Sequence, residues 1–236
     1  MYDYVDNWVG WENIAEMLTY AKHPVAKKFF IFSIKTGGRA KEVLRLQAEN
    51  FEVRGREKCI LVKDMELEKR FNKIGLLPPS DIPHAKKWLT EKKAAARKTF
   101  PIKLNEPFST ELIQYLQETP KGYLFKSPYQ CNDPPVYSRF WAYKQIIKVN
   151  DALPPDLFNR LGLNREFKDR KGNVIASTIH LWLHLLRSWR ASQLAAEYDF
   201  SEAMLMEFFG WVTPKEAHHY SHLGYSKLLE QMRKNE

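Results

Sequence analysis

Thr36-Gly37-Gly38-Arg39-Ala40-Lys41-Glu42-Val43-Leu44-Arg45-Leu46 joins paired glycines, one arginine and an apolar stripe at helical spacing. The glycines permit a sharp turn. Ala40, Val43, Leu44 and Leu46 then line one face of a helix that starts at once. Arg39 falls in the first turn of that helix. Unpaired backbone N–H groups and the positive helix end converge there with a planar guanidinium fork, which suits a phosphate. An isolated arginine so placed is more often a surface residue or a cap, so the segment gains meaning only from its neighbours in the chain.

Upstream, residues 11–22 carry Ile14, Met17 and Leu18 at helical spacing, and Pro24 stops that helix. A second helix is expected over about 25–35, with Phe29-Phe30-Ile31-Phe32 as a core segment. Downstream, Phe51, Val53 and Cys59-Ile60-Leu61-Val62 read as short strands with Gly55 in the turn, and Lys98-Thr99-Phe100-Pro101-Ile102 as a returning strand. Residues 63–98 between them are charged and broken by Gly75, Pro78, Pro79 and Pro83, which predicts a long insertion or extended hairpin tip. After Pro107 helices are expected at 109–118, 138–149, 176–196, 201–209, 214–220 and 224–234, with loops at 128–136 and 162–175. The pattern is α+β and mainly α-helical with a small antiparallel sheet. A single domain over residues 1–236 with a basic hairpin at about 51–103 accounts for it, since no stretch reads as an interdomain linker.

The chain has 236 residues, 44% apolar and 28% charged, which is ordinary for a folded protein. No apolar run approaches the roughly 18 residues of a membrane span. Its first ten residues, MYDYVDNWVG, lack the basic and apolar regions of a secretory signal. Cys59 and Cys131 are its two cysteines, too few for a disulfide scaffold or a four-cysteine zinc site. A soluble, intracellular protein is expected. The net charge is +9, and between Arg54 and Lys103 fourteen Lys/Arg face six Asp/Glu. A basic field this concentrated suits a polyanion such as double-stranded DNA.

Three further segments carry chemistry. His184-Leu185-Leu186-Arg187 places an imidazole and a guanidinium at i and i+3 on a strongly apolar helix, where a buried polar pair would need partners. Gly210-Trp211 follows, and Tyr220 stands nine residues beyond Trp211. A tyrosine hydroxyl becomes a useful nucleophile only with cations nearby to stabilise its phenolate. His180 and His184 have metal-ligand spacing, and His218, His219 and His222 cluster in sequence, but the helix lacks the glutamate of a zinc-protease motif. The chain has no phosphate-binding glycine loop, so neither metal nor nucleotide cofactor is expected. Trp141 and Tyr143 stand beside basic residues on a helix, where packing is the more common use.

Taken in order, these segments resemble the tyrosine recombinase (phage integrase) family. The box T-G-x-R-x-x-E-x-x-x-L is met by Thr36, Gly37, Arg39, Glu42 and Leu46. The H-x-x-R box is met by His184 and Arg187, the following G-H or G-W position by Gly210-Trp211, and the nucleophile by Tyr220 in preference to Tyr225. The resemblance runs from about residue 10 to the C-terminus, and within the family it is nearest in flavour to archaeal or viral integrases. It implies a site-specific DNA recombinase, metal-independent, that cuts and rejoins DNA through a 3′-phosphotyrosyl intermediate. Tyr220 would attack, Arg39 and Arg187 would clamp the phosphate oxygens, His184 would hold a proton, and Trp211 would donate its indole N–H or pack on the phosphate site. The family's hairpin lysine, which protonates the 5′-oxygen, would be Lys69 or Lys93, with Lys63 a distant third.

The chain departs from the family pattern in several ways. Arg39 and His184 are 145 residues apart, the surplus lying in the basic 63–98 segment. The resemblance also predicts an N-terminal DNA-clamping domain, which the ten or so residues before the first helix are too few to form, as expected of a naturally minimal enzyme, a fragment or an excised domain. The residue after the second arginine is Ser188. The resemblance also implies a homo-oligomer, a tetramer on DNA, with Leu228, Leu229 and Met232 of the last helix docking on a neighbour. Two other activities fit the same residues: a non-cleaving DNA-binding module of this fold, and a type IB topoisomerase that relaxes supercoils as a monomer.

Overall fold

A buried helix and a second one packed along it organise the molecule. The computed structural model describes residues 8–67, 97–129, 134–163, 167–168, 174–176, 181–211 and 213–220. Helix α1 (Trp11–Thr19) leads into α2 (Pro24–Thr36), which begins with proline at its first position, where the missing N–H costs nothing. From Phe29 to Thr36 every residue of α2 is buried. A helix apolar nearly all round belongs at the centre of a core. Its hydroxyls are satisfied within the helix: Ser33 donates to the Phe29 carbonyl at 2.8 Å and Thr36 to Phe32 at 2.7 Å. Gly37, left-handed at φ 57°, ends it, and a short α3 (Ala40–Leu44) follows.

The sheet has three strands in the order β1 (Phe51–Arg54), β2 (Cys59–Glu66), β3 (Arg97–Lys103), all antiparallel. Phe51 pairs with Val62 and Val62 with Phe100, and a bulge interrupts the β2–β3 register between Val62 and Met65. β2 therefore runs further than its apolar core, to Glu66. In β3 the residues alternate strictly, so Lys98, Phe100 and Ile102 face inward while Thr99 and Pro101 face out. Pro101 is tolerated because β3 is an edge strand.

The remaining helices are α4 (Ser109–Glu118), α5 (Arg139–Ala152), α6 (Pro155–Arg160), α7 (Leu183–Tyr198), α8 (Glu202–Phe209) and α9 (214–220). Of these, α7 packs directly against α2 and is buried from Leu185 to Ala195. Helix α8 starts from a Ser201 cap and ends at left-handed Gly210. One continuous apolar core runs through residues of α1 to α9 and the sheet. Among the described residues no helix is long and apolar enough to cross a membrane.

The expected α+β, mainly helical architecture with a small antiparallel sheet is the one observed. Two local expectations need correction. The stretch 162–175 is not only loop: Phe167–Lys168 (β4) pairs antiparallel with Val174–Ala176 (β5). The helix expected from 176 begins instead at Leu183, because Val174–Ala176 is a strand. Helix α6, which starts at a proline pair, was not foreseen. The expected helix at 224–234, with Leu228, Leu229, Met232 and Tyr225, lies outside the described residues.

Candidate active site

The turn after α2 places Arg39 at the N-cap of α3, and Glu42 one turn later folds back onto it. Arg39 N–H donates to Glu42 Oε2 at 2.7 Å and its guanidinium to Oε1 at 2.8 Å. Glu42 thus serves the orphan N–H of the helix start and orients the arginine in one stroke. Arg39 stays 18% exposed at its side chain while Glu42 is 1% exposed, so the cation retains an open edge.

Arg187 comes from the centre of α7 and is buried. It donates to the Gly37 carbonyl at 2.6 Å and the Phe209 carbonyl at 3.1 Å, and lies 3.8 Å from Glu42 Oε2. Those carbonyls end α2 and α8, where the helix dipole is negative, so a buried cation is well placed. Burial, then the nearby Arg39, lower its pKa to about 10, and Glu42 partly offsets this; it remains charged at neutral pH. Burial alone would push the Glu42 carboxyl up, but Arg187, Lys98 and Arg39 together bring it below the usual carboxylate range.

The aromatic side completes the group. The Arg187 guanidinium lies over Phe209 and Trp211, with ring centroids at 4.7 and 5.5 Å. Trp211 stacks on Phe209 at 4.6 Å and on Tyr220 at 5.7 Å. Tyr220 is 8% exposed, and its hydroxyl donates to Ser188 Oγ at 3.2 Å. Gly37 is indispensable here, since a Cβ at its position would collide with the Phe209 ring.

Arg39, Arg187, Trp211 and Tyr220 are therefore brought together from segments up to 181 residues apart. His184 is the exception to the buried pair considered for its motif. It lies exposed in the first turn of α7 while Arg187 is buried, because α7 starts seven residues later than expected and leaves position 184 at its open end. Lys69 and Lys93 lie outside the described residues, as do His180 and His222. Lys63 is at the surface, paired with Glu52.

One residue of this cluster was missed. Lys98 is buried on β3, donates to the Phe208 carbonyl at 2.9 Å, and reaches the Thr36 carbonyl at 3.5 Å. Burial first, and Arg187 second, push its pKa well down. Its period-two alternation with Phe100 and Ile102 was the available signal. Glu42 was visible as a motif position, but its double pairing was not.

No protein-family model and no curated protein sequence matches the chain. Solved structures do. XerH site-specific recombinase bound to palindromic difH substrate, in a post-cleavage complex, is similar with a TM-score of 0.54 and 15% identity. That match covers 97% of this chain and 53% of the other. The pre-cleavage XerH complex with difH gives 0.51 and 16%, over 94% and 52%. XerA recombinase gives 0.50 and 15%, over 96% and 62%. The chain thus has the tyrosine recombinase catalytic-domain fold, and spans about half to three fifths of the length of these relatives in structure.

Proposed function

We propose that this chain is the catalytic unit of a site-specific DNA recombinase, a single domain that cuts and rejoins duplex DNA through a 3′-phosphotyrosyl bond. One observation carries the reading: Arg39, Glu42, Arg187, Trp211 and Tyr220 form an unbroken series of contacts, cations at one end and a phenol at the other. The likeness to recombinases solved with a DNA substrate supports DNA as the partner, and the surplus of positive charge supports it independently.

In the reaction the Tyr220 oxygen bonds to phosphorus and the bond to the 5′-oxygen breaks. Arg39 and Arg187 stabilise the charge that builds on the non-bridging oxygens. Two of the five Arg187 N–H groups serve the helix-end carbonyls, which anchors the fork before DNA arrives. His184, exposed at the start of α7, takes the phenolic proton or holds it near the nucleophile. Lys69 or Lys93 gives a proton to the departing 5′-oxygen. The phosphodiester energy stays in the phosphotyrosine, and attack by another 5′-hydroxyl completes strand exchange, so the residues themselves supply the chemistry without metal or cofactor. The reading extends to a tetramer assembled on DNA through segment 224–234, and to integration of mobile or viral DNA as the outcome.

The burial of Tyr220 favours one second reading, DNA binding without cleavage. The deciding experiment uses duplex DNA nicked beside a site located by footprinting, so that loss of the short flank traps any adduct. A slow-migrating covalent band with wild-type protein, absent with Tyr220→Phe, is expected. Protection of the site with no band from wild type supports the non-cleaving module instead.

A further inference from the structure

A second buried ionic group lies one helical turn from the first. Lys35 in the last turn of α2, Glu106 in the connection from β3 to α4, and Arg190 on α7 have side chains 0%, 1% and 1% exposed. Lys35 Nζ donates to Glu106 Oε2 at 2.6 Å, to Ser109 Oγ at 2.9 Å and to the Pro107 carbonyl at 3.1 Å, which uses all three of its donors. Arg190 reaches both Glu106 oxygens, at 2.9 and 3.0 Å, and Gln193 Oε1 at 2.6 Å. Its buried Nε has no hydrogen-bond partner. A group of this kind is costly to desolvate, and apolar side chains of similar volume would pack the same space at less cost.

Its placement indicates a use. Lys35 stands four residues before Arg39, across the Gly37 turn, and Arg190 stands one turn after Arg187 on α7. Glu106 binds both at once, so α7, which carries Arg187, and the end of α2, which leads through the Gly37 turn to Arg39, are tied through a single carboxylate. An apolar contact between α2 and α7 tolerates small slides, whereas hydrogen bonds from two cations to one carboxylate are directional.

We propose that Glu106 is a positioning residue. By holding Lys35 and Arg190 together it sets the spacing of Arg39 and Arg187, so that both guanidinium groups address one phosphate. This rests on the recombinase reading above.

The test compares wild type with Glu106→Gln, which keeps the shape and removes the charge, on nicked duplexes carrying one Rp or one Sp phosphorothioate at the scissile phosphate. Misplacing the clamp should slow adduct formation about 10- to 100-fold. DNA affinity should be retained. The ratio of Rp to Sp rates should also change, because sulfur replaces one non-bridging oxygen at a time and each arginine senses its own. An unchanged ratio, with both isomers slowed equally or not at all, overturns the proposal. Should Glu106→Gln fail to fold, Gln193→Leu, which removes one acceptor from Arg190, takes its place, with a smaller change in the same ratio expected and an unchanged ratio again decisive. Absence of adduct from wild-type protein on unsubstituted DNA removes the recombinase reading itself, and this inference with it.

Discussion

The Trp211 indole lies parallel to the Tyr220 phenol, 8° between the ring planes and 5.7 Å between centroids. Trp211 also packs over Phe209 and under the Arg187 guanidinium, so one side chain connects the Tyr220 phenol and the Arg187 cation. Stacked aromatic pairs of this sort contribute about 0.5–1.5 kcal/mol beyond their buried area.

Trp211→Phe should therefore keep a stacking surface and form the covalent adduct within a few-fold of wild type. Trp211→Ala should slow it by up to about tenfold, the equivalent of the lost stacking energy. Single-turnover adduct formation on nicked DNA measures both. Equal rates for Trp211→Ala and wild type would remove Trp211 from the site.

Glu42→Gln removes the carboxylate shared by Arg39 and Arg187. Breaking a buried pair this way should lower unfolding free energy by about 3–5 kcal/mol, read from urea denaturation. The folded Glu42 pKa is depressed, so its contribution is present above the unfolded carboxylate value and is lost as pH falls through the folded one. The acid limb of the stability profile should be shallower in Glu42→Gln than in wild type.

Lys35 acts with the same sign in a more alkaline window. Burial lowers its pKa to about 8, with Glu106 partly offsetting this. Between that value and the unfolded lysine range the unfolded chain binds the extra proton, so this group makes stability rise with pH. Comparing unfolding free energy of wild type and Lys35→Met between pH 8 and 10 should show the wild type gaining relative to the variant. A flat difference would place the Lys35 proton elsewhere.

The lysines can be separated by the leaving group. A 5′-bridging sulfur departs as a thiolate and needs no proton. Loss of the proton donor, in Lys69→Ala or Lys93→Ala, should be rescued on the sulfur-bridged duplex. Lys98→Met should be impaired on both duplexes alike, since Lys98 holds the Phe208 and Thr36 carbonyls. Rescue of Lys98→Met by sulfur would make it the acid instead.

Gly37→Ala should be among the most damaging single-methyl additions. The left-handed backbone costs a side chain about 1–2 kcal/mol, and the new Cβ meets the Phe209 ring. A lowered melting temperature with reduced adduct formation is expected.

What the sequence determined by itself is local and periodic. Apolar spacing set most of the helices, short apolar runs set the three strands, and glycine placed the turns at Gly37 and Gly55, because backbone geometry reports these patterns directly. Of the residues in the ordered boxes, Arg39, Arg187, Trp211 and Tyr220 meet in the fold. Tertiary structure alone decided how they meet. Lys98 reads as one more cation in a basic stretch until the edge-strand register turns it inward. His184 and Arg187 share a motif, yet one is exposed and the other buried, because that depends on where α7 begins and on what α2 and α8 place against it. Lys35, Glu106 and Arg190 are far apart in the chain, and no spacing rule joins them. Their pairing exists only because two helices and a strand end close on the same small volume, where a charge must find a partner.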